Sequence, residues 1–367
     1  MRILYTTTIG LTMIFFRRLV KNLIDKGHTV DIATNEAEIP VDDYYREIGC
    51  CIYQVSWLRS PYSAQNIKAV REIREIVKKG HYDIVHCHTP IAGFCTRYAC
   101  RKLRKQGLRV FYTAHGFHFY KGAPLRNWLI YYPIEKISSH FTDVLITITK
   151  EDYALAKRKM KAVKNSYIPG VGVDVEKFKN TVTDRAKKRQ ELGIPGDAFL
   201  FLSVGELNIN KNHQVFIRAM EKINDSDVHY AIAGKGGEKE ALQHLADEKG
   251  LKNRFHLLGY RNDVAELYKT ADAYVLPSLR EGLNVSLMEA ICSGLPVICG
   301  NIRGNRDLIS DGKNGFLVDT ADPDDVLNAA VKIVDGKLDD YSEFNIDLEK
   351  QISFASVYEQ TSALYFN

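Results

Sequence analysis

Short apolar runs alternate with amphipathic stretches along most of the chain. Ile3–Thr7 is one such run, and Phe16, Leu19, Val20, Leu23 and Ile24 then recur at helical spacing before Gly27. From His28 to Thr34 the period drops to two, with Val30 and Ile32 alternating. That switch predicts a β-α-β unit. Further strands are predicted at 52–55, 84–86, 110–114, 144–147 and 165–168, separated by helical stretches rich in Lys, Arg, Glu and Leu. Such a series implies a parallel sheet with helices on both faces.

Pro169-Gly170-Val171-Gly172 breaks the pattern, which restarts at 199–204. It continues at 229–233, 255–258, 273–276, 296–299 and 315–318. This predicts a second α/β unit, with the boundary near 169–180. The tail reads as one amphipathic helix with Phe354, Val357, Leu364 and Tyr365 apolar. The expected organisation is therefore 1–172, 173–352 and a closing helix at 353–367. Open parallel sheets bind ligands at the carboxyl ends of their strands, so the chemistry is expected in the loops that follow strands.

Composition narrows the class. The 367 residues are 45% apolar and 26% charged, which excludes a disordered chain, a fibre and a disulfide mini-scaffold. No run of about 18 apolar residues predicts a membrane-spanning helix. The run from Ile3 to Phe16 imitates a secretory leader, but Thr6, Thr7, Thr8 and Thr12 interrupt it, and a strand followed by a helix is expected. Seven cysteines without a C-x-x-C pair predict free thiols in a reducing compartment. In His86-Cys87-His88 the histidines share one strand face, and no second ligand pair follows, so no metal is expected there. Residues 1–180 carry a net charge of +13 and residues 181–367 carry −8, which suggests different partners for the two halves.

Four strand-to-helix loops carry candidate chemistry. In Ser278-Leu279-Arg280-Glu281-Gly282-Leu283-Asn284-Val285-Ser286-Leu287-Met288-Glu289, Asn284 is a natural helix cap. The helix start at Val285 and Ser286 would offer amides and positive dipole to an anion, with Glu281 beside it to accept from hydroxyls. That combination suits a sugar joined to a phosphate. Gly205-Glu206-Leu207-Asn208-Ile209-Asn210-Lys211 places a cation near another helix start. Gly234-Lys235-Gly236 resembles a phosphate-cradling loop without the full G-x-G-x-x-G spacing. His115-Gly116 follows the strand at 110–114. Taken singly, each of these residues reads as readily as a solvated loop charge or a structural histidine.

Taken together they resemble the retaining glycosyltransferases of family 4. The resemblance rests on Glu281-x7-Glu289 with Gly282 and Asn284, Gly205 with Lys211-Asn212, Gly234-Lys235-Gly236, Leu258-Gly259-Tyr260 and Asn314-Gly315-Phe316-Leu317-Val318. Asp83-Ile84-Val85-His86-Cys87-His88-Thr89-Pro90 and Thr113-Ala114-His115-Gly116-Phe117-His118 are similar to the exopolysaccharide and capsule branch.

The resemblance implies a GT-B fold: two Rossmann-like domains facing across a cleft, with the last helix returning to the first. It implies a nucleotide-sugar donor, by family habit a UDP-sugar, on the C-terminal domain. Glu281, Gly282, Leu283 and Asn284 would then bind the donor sugar, and Glu289 the ribose. Lys211, Val285, Ser286 and Gly10 would meet the diphosphate, and His115 the sugar near its reacting carbon. Gly234, Gly236, Gly259 and Tyr260 would line the nucleotide. No metal or other cofactor is expected. Two departures stand out: Glu206 occupies a position where many relatives carry Arg, with Arg280 or Arg303 as possible substitutes, and the first loop keeps only Gly10.

Hydrolysis by a carboxylate pair is the competing chemistry for two glutamates. Eight helical residues span about 12 Å, whereas retaining glycosidases hold their carboxyls about 5–5.5 Å apart. A dinucleotide-dependent oxidoreductase is disfavoured by the absent glycine fingerprint in the first unit. A transferase with a soluble acceptor and a non-catalytic nucleotide-sugar-binding subunit stay open.

The expected acceptor is an undecaprenyl-diphosphate-linked saccharide. An anionic membrane surface is the expected partner of the basic half, placing the protein in the cytoplasm, peripheral on the inner face of the membrane. Arg97, Arg101, Arg104 and Lys105 are read as one helix face, as are Lys157, Lys161 and Lys164. Residues 111–141 hold nine aromatics, among them Phe117, Phe119, Tyr120, Trp128, Tyr131 and Tyr132. Nucleic acid is not expected, since no recognition motif accompanies the charge.

Overall fold

The computed structural model describes residues 1–60, 62–223, 225–338 and 342–366, with no side-chain description for 342–344. The chain divides into two compact units, Met1–Val171 with Tyr358–Asn367, and Gly172–Val357.

In the first unit seven parallel strands stand in the order β3-β2-β1-β4-β5-β6-β7. They are β1 (Arg2–Ile9), β2 (Thr29–Asn35), β3 (Ile52–Gln54), β4 (Ile84–His88), β5 (Arg109–Ala114), β6 (Val144–Thr147) and β7 (Lys164–Tyr167). Ile3 pairs with Val30 on one side and Ile84 on the other, which makes β1 central. Every β1 residue from Ile3 to Ile9 is buried. A strand covered on both faces has no polar side, so Thr6, Thr7 and Thr8 sit inside with their hydroxyls bonded to Thr96, to Ile9 and Thr34, and to Thr89.

The second unit holds six parallel strands in the order β10-β9-β8-β11-β12-β13. They are β8 (Phe199–Val204), β9 (Val228–Ala233), β10 (Phe255–Gly259), β11 (Ala273–Leu276), β12 (Val297–Gly300) and β13 (Gly315–Val318). Its core gathers Phe201, Phe216, Tyr230, Val275, Ile298 and Val326 between sheet and helices. All thirteen predicted strands are present, most displaced by a residue or two at their ends.

The last helix is Phe354–Phe366, and the first unit claims it from Tyr358 onward rather than from 353. Tyr365 is buried there, its hydroxyl 2.7 Å from that of Tyr5. Arg109 caps the helix end by donating to the carbonyls of Leu364 and Tyr365 at 2.8 and 2.7 Å.

The two expected basic faces do not form. Helix Pro90–Cys100 ends before Arg101, and Arg104 and Lys105 lie in a separate 3-10 turn, Leu103–Gln106. Arg97 is fully buried, paired with Glu135 at 2.8 Å and stacked 3.8 Å over Tyr112. Arg104 is spent on Asp143. Lys157 lies on helix Lys150–Lys159, Lys161 beyond its end and Lys164 in β7. The aromatics are largely interior: Phe117 and Phe119 are buried and stacked at 4.8 Å, with Trp128, Tyr131 and Tyr132 packed against the same cluster.

Candidate active site

In the second unit three loops at the carboxyl end of the sheet are tied into one body. The loop after β8 lies against the loop after β9: Leu207 N–H donates to the Lys235 carbonyl at 2.9 Å. A Cβ on Gly234 would stand 1.7 Å from the Gly205 carbonyl oxygen, so only glycine lets the backbones meet. The loop after β11 joins them through Leu279 N–H to Asn210 O at 2.8 Å and Asn210 Nδ2 to Arg280 O at 2.9 Å. From the far side Gly304 closes on the Gly282 carbonyl, where a Cβ would stand 1.5 Å from that oxygen.

These ties bring Lys211 to Glu281. Lys211 Nζ donates to Glu281 Oε1 at 2.7 Å, and each side chain is 14% exposed. Lys211 belongs to the turn Ile209–Lys211, where Asn208 Oδ1 accepts from the Lys211 N–H at 3.0 Å, and its aliphatic stem runs over Gly205. The carboxylate of residue 281 is therefore held within the loop cluster instead of reaching into bulk water.

Directly after Glu281, Asn284 caps helix Val285–Cys292. Its Oδ1 accepts from Leu287 N–H at 3.0 Å and from the Ser286 hydroxyl at 2.7 Å. Tyr274 on β11 in turn donates to Ser286 Oγ at 2.7 Å. The cap is thus braced from the sheet. Met288 N–H is satisfied by the Asn284 carbonyl, while no described group accepts from the amides of Val285 and Ser286. Two aligned donors at a helix start, beside a lysine, form an anion-binding geometry.

One turn further on, Glu289 accepts from the Tyr268 hydroxyl at 3.1 Å, and burial pushes its carboxyl up to about 7. Leu283 and Asn284 are buried, and Gly282 is half-buried. Gly236 touches the Leu207 backbone, so its role is the same close approach as that of Gly234. Gly259 ends β10 in the left-handed region, and Tyr260 beside it is exposed with Lys235 Nζ 5.4 Å from its ring centre. Glu206 is exposed and turned to Asn208. Arg303 lies beside Glu281, with its Nε 3.4 Å from the Glu281 carbonyl, whereas Arg280 is exposed.

The first unit holds the other candidates. His115 directly follows β5 and lies next to His88 at the end of β4, with His88 Nδ1 and His115 Nε2 3.1 Å apart. His86 lies 4.2 Å from His88, ring centre to ring centre, and Phe16 packs on the other side at 4.3 Å. Burial pushes His115 down to about 4, His86 to about 3 and His88 well below the usual histidine range. All three imidazoles are neutral at pH 7. His88 Nε2 is buried without a partner. An orphaned N–H there is costlier than an orphaned lone pair, so the His88 proton sits on Nδ1 and is donated to His115. His115 then carries its own proton on Nδ1, which meets no acceptor among the described residues.

Gly10 is a correction. Its amide already donates to Ile39 O at 2.9 Å, and a Cβ there would strike the Pro40–Val41 backbone at 2.4 Å. Packing accounts for this glycine, and its amide is not available to a diphosphate. The sequence pattern gives no role to Tyr268, Tyr274, Asn210 or Gly304. A tyrosine hydroxyl leaves no mark on an apolar pattern, and only Gly304, soon after a strand, carries a signal that could have found it.

The two Rossmann-like sheets have the GT-B architecture. Anabaena Alr3699/HepE, solved in complex with UDP, superposes with a TM-score of 0.81 at 18% identity over 99% of both chains. WaaG, a glycosyltransferase involved in lipopolysaccharide biosynthesis, gives 0.75 at 18% identity over all of both chains (100% each). A model described as Glycosyltransferase Family 4 matches residues 14–177, and one described as Glycosyl transferases group 1 matches 184–347.

The chain belongs to glycosyltransferase family 4, in its exopolysaccharide-type branch, and is a glycosyltransferase. It is 39% identical over 268 residues to the putative glycosyltransferase EpsD of Bacillus subtilis (strain 168), which covers 72% of this chain and 70% of that protein. It is 32% identical over 306 residues to the UDP-Gal:alpha-D-GlcNAc-diphosphoundecaprenol alpha-1,3-galactosyltransferase of Escherichia coli, covering 82% and 78%.

Proposed function

We propose that the chain is a retaining transferase that moves a hexosyl or N-acetylhexosaminyl group from a UDP-sugar to an undecaprenyl-diphosphate-linked saccharide in exopolysaccharide or capsule synthesis. The observation that carries this reading is the Lys211–Glu281 contact beside the two unaccepted amides of Val285 and Ser286. The UDP complex of the HepE neighbour and the activity named for the E. coli relative support the donor and acceptor classes.

On this reading Lys211 and the two amides bind the diphosphate, and Glu281 with the Gly282–Asn284 backbone holds the sugar hydroxyls. Glu289 accepts from the ribose, and Gly234, Gly236, Gly259 and Tyr260 flank the nucleotide. His115 Nδ1–H donates to the sugar. The bond between the anomeric carbon and the diphosphate oxygen breaks, and UDP leaves with the electron pair. The acceptor hydroxyl forms its bond on the same face and gives its proton to the departing phosphate oxygen. Fixed donors act where that negative charge develops. Lysine and helix dipole supply the charge, so the reaction proceeds without a divalent metal and survives a chelator.

The protein works on the cytoplasmic face of the membrane. Among the described residues no helix is long and apolar enough to cross a bilayer. Helix Leu125–Ser139 instead turns Leu125, Leu129 and Ile137 outward beside exposed Arg126 and Lys136, which suits an anionic interface. Vesicles of anionic lipid should bind the protein at low salt and release it at high salt.

The test is a screen of UDP-sugars against a polyprenyl-diphosphate-linked saccharide, reading UDP release and the anomeric configuration of the product by NMR. Transfer with retention and with chelator present is expected. Inversion, or no transfer from any UDP-sugar, overturns the reading.

A further inference from the structure

In the first unit, well apart in sequence from the donor loops, a groove of about 670 Å³ runs between helix Gln65–Gly80 and helix Pro90–Cys100. Ile67, Phe94 and Tyr98 form its apolar wall, and Ile67 and Tyr98 are exposed. Arg71, Arg74 and Arg101 line it as well, and no carboxylate does. The acids of the same helix, Glu72 and Glu75, are not among the groove's lining residues. Glu72 accepts from Ser56 N–H and its hydroxyl at 2.7 and 2.8 Å, and Glu75 lies 4.0 Å from Lys78.

Two of the arginines are held in place. Arg101 donates to the Tyr98 carbonyl at 2.6 Å and lies 3.8 Å over the Tyr98 ring. Arg74 Nε reaches the Ala99 carbonyl at 3.4 Å. Arg71 is exposed and meets no partner among the described residues. None of the three guanidinium groups is ion-paired to a carboxylate among the described residues, and the exposed apolar surface beside them is unfavourable in water. A ligand with an anionic head and a hydrocarbon tail relieves both. Guanidinium matches phosphate oxygens with paired N–H donors. A diphosphate diester brings about two negative charges to the three guanidinium groups of this open groove.

We infer that this groove holds the diphosphate and the first isoprene units of the lipid-linked acceptor. The inference rests on the lipid acceptor proposed above and gives that acceptor's anchor a site separate from the donor loops.

The test uses the full chain and farnesyl diphosphate as the probe, with saturating UDP to occupy the donor loops, followed by calorimetry. Farnesyl diphosphate should bind, and R71Q and R101Q should each weaken it by about 10-fold. I67S should weaken farnesyl diphosphate but not inorganic pyrophosphate. Pyrophosphate and farnesol alone should each bind at least about 10-fold more weakly than the joined molecule. All three variants should bind UDP as the parent does and keep its melting temperature.

Unchanged farnesyl diphosphate affinity in R71Q and R101Q overturns the inference. So does pyrophosphate binding as tightly as the prenyl ester, which would mark an anion site alone. Loss of anionic-vesicle binding in R71Q with farnesyl diphosphate affinity intact also overturns it and assigns the groove to bulk lipid. Failure of the parent to use any UDP-sugar instead removes the proposed function, and the calorimetry stands apart from it.

Discussion

In the second unit Lys211 and Glu281 meet as a charged pair at a helix start, while in the first unit His86, His88 and His115 pack ring on ring with none charged. Both clusters sit at the carboxyl ends of parallel strands, and both are braced by tyrosine: Tyr274 beneath the helix cap, Tyr365 against His86. The difference lies in how burial is used. In the second unit three loops and a helix dipole hold charge in place, where the proposed function puts the diphosphate. In the first unit burial strips charge from the histidines and leaves neutral rings.

The sharpest way to break this contrast is to remove the charge. K211A and E281A should each lower kcat/KM by about 10²–10³-fold. Each also strands its partner's half-buried charge, so melting curves must accompany the kinetics. Near-parental turnover in both variants would make the pair a structural tie and the site assignment wrong.

The next effect tests rigidity. In G304A the new methyl collides with the Gly282 carbonyl and must push the Glu281 loop aside. A displacement near 1 Å at a reacting centre is worth about 10²-fold in rate. The expected outcome is a loss approaching that size with UDP affinity reduced far less. Equal losses in rate and UDP affinity would mean that the whole loop cluster had collapsed.

How much of this was legible beforehand follows from the same physics. Strand positions follow from apolar runs because a sheet buried on both faces leaves little other choice, and β1 kept its threonines inside for want of any polar side. Glu281, Lys211 and Asn284 stood out because a cap, a cation and an acid at strand-to-helix turns are local signals. The two expected Lys/Arg helix faces do not form, because helix spacing does not reveal where a helix ends. Helix Pro90–Cys100 stops before Arg101, and Arg97 turns inward to Glu135 across 38 residues of sequence. Gly10 looked like a diphosphate glycine because it follows the first strand, yet its neighbour is Pro40, a contact no local pattern encodes. The brace from Tyr274 to Ser286 was invisible for a related reason: a tyrosine in an apolar run displays its ring and hides its hydroxyl.

A smaller effect tests the neutral half. His88 acts on His115 by donating from Nδ1, so it is a positioning residue. H88F should lower kcat about 10-fold, within the range of one lost hydrogen bond to a neutral group. H88N, whose amide can donate from nearly the same place, should recover most of the loss. If H88N is as poor as H88F, His88 fills space and the tautomer assignment falls.

The smallest effect joins the two environments in one residue. Glu289 lies on the charged helix, yet burial raises its carboxyl from 4.5 to about 7, with the Tyr268 hydroxyl bond opposing. The folded chain therefore holds this proton more tightly than the unfolded chain. Its contribution to stability declines as pH rises from about 4.5 to about 7 and is constant above that. Binding should run the other way, because only the carboxylate offers acceptors to both ribose hydroxyls. UDP-glucose is the right probe, since its diphosphate is a diester with no phosphate monoester to titrate near pH 6. Its affinity should rise about three-fold as pH goes from 6 to 8 and then level off, a change of under 1 kcal/mol. E289Q should show a flat profile and should melt higher than the parent at pH 8, where it no longer buries a charge. An affinity that falls with rising pH would mean the carboxylate faces the diphosphate instead of the ribose, and the burial that raises its pKa would then serve to keep a negative charge away from the leaving group.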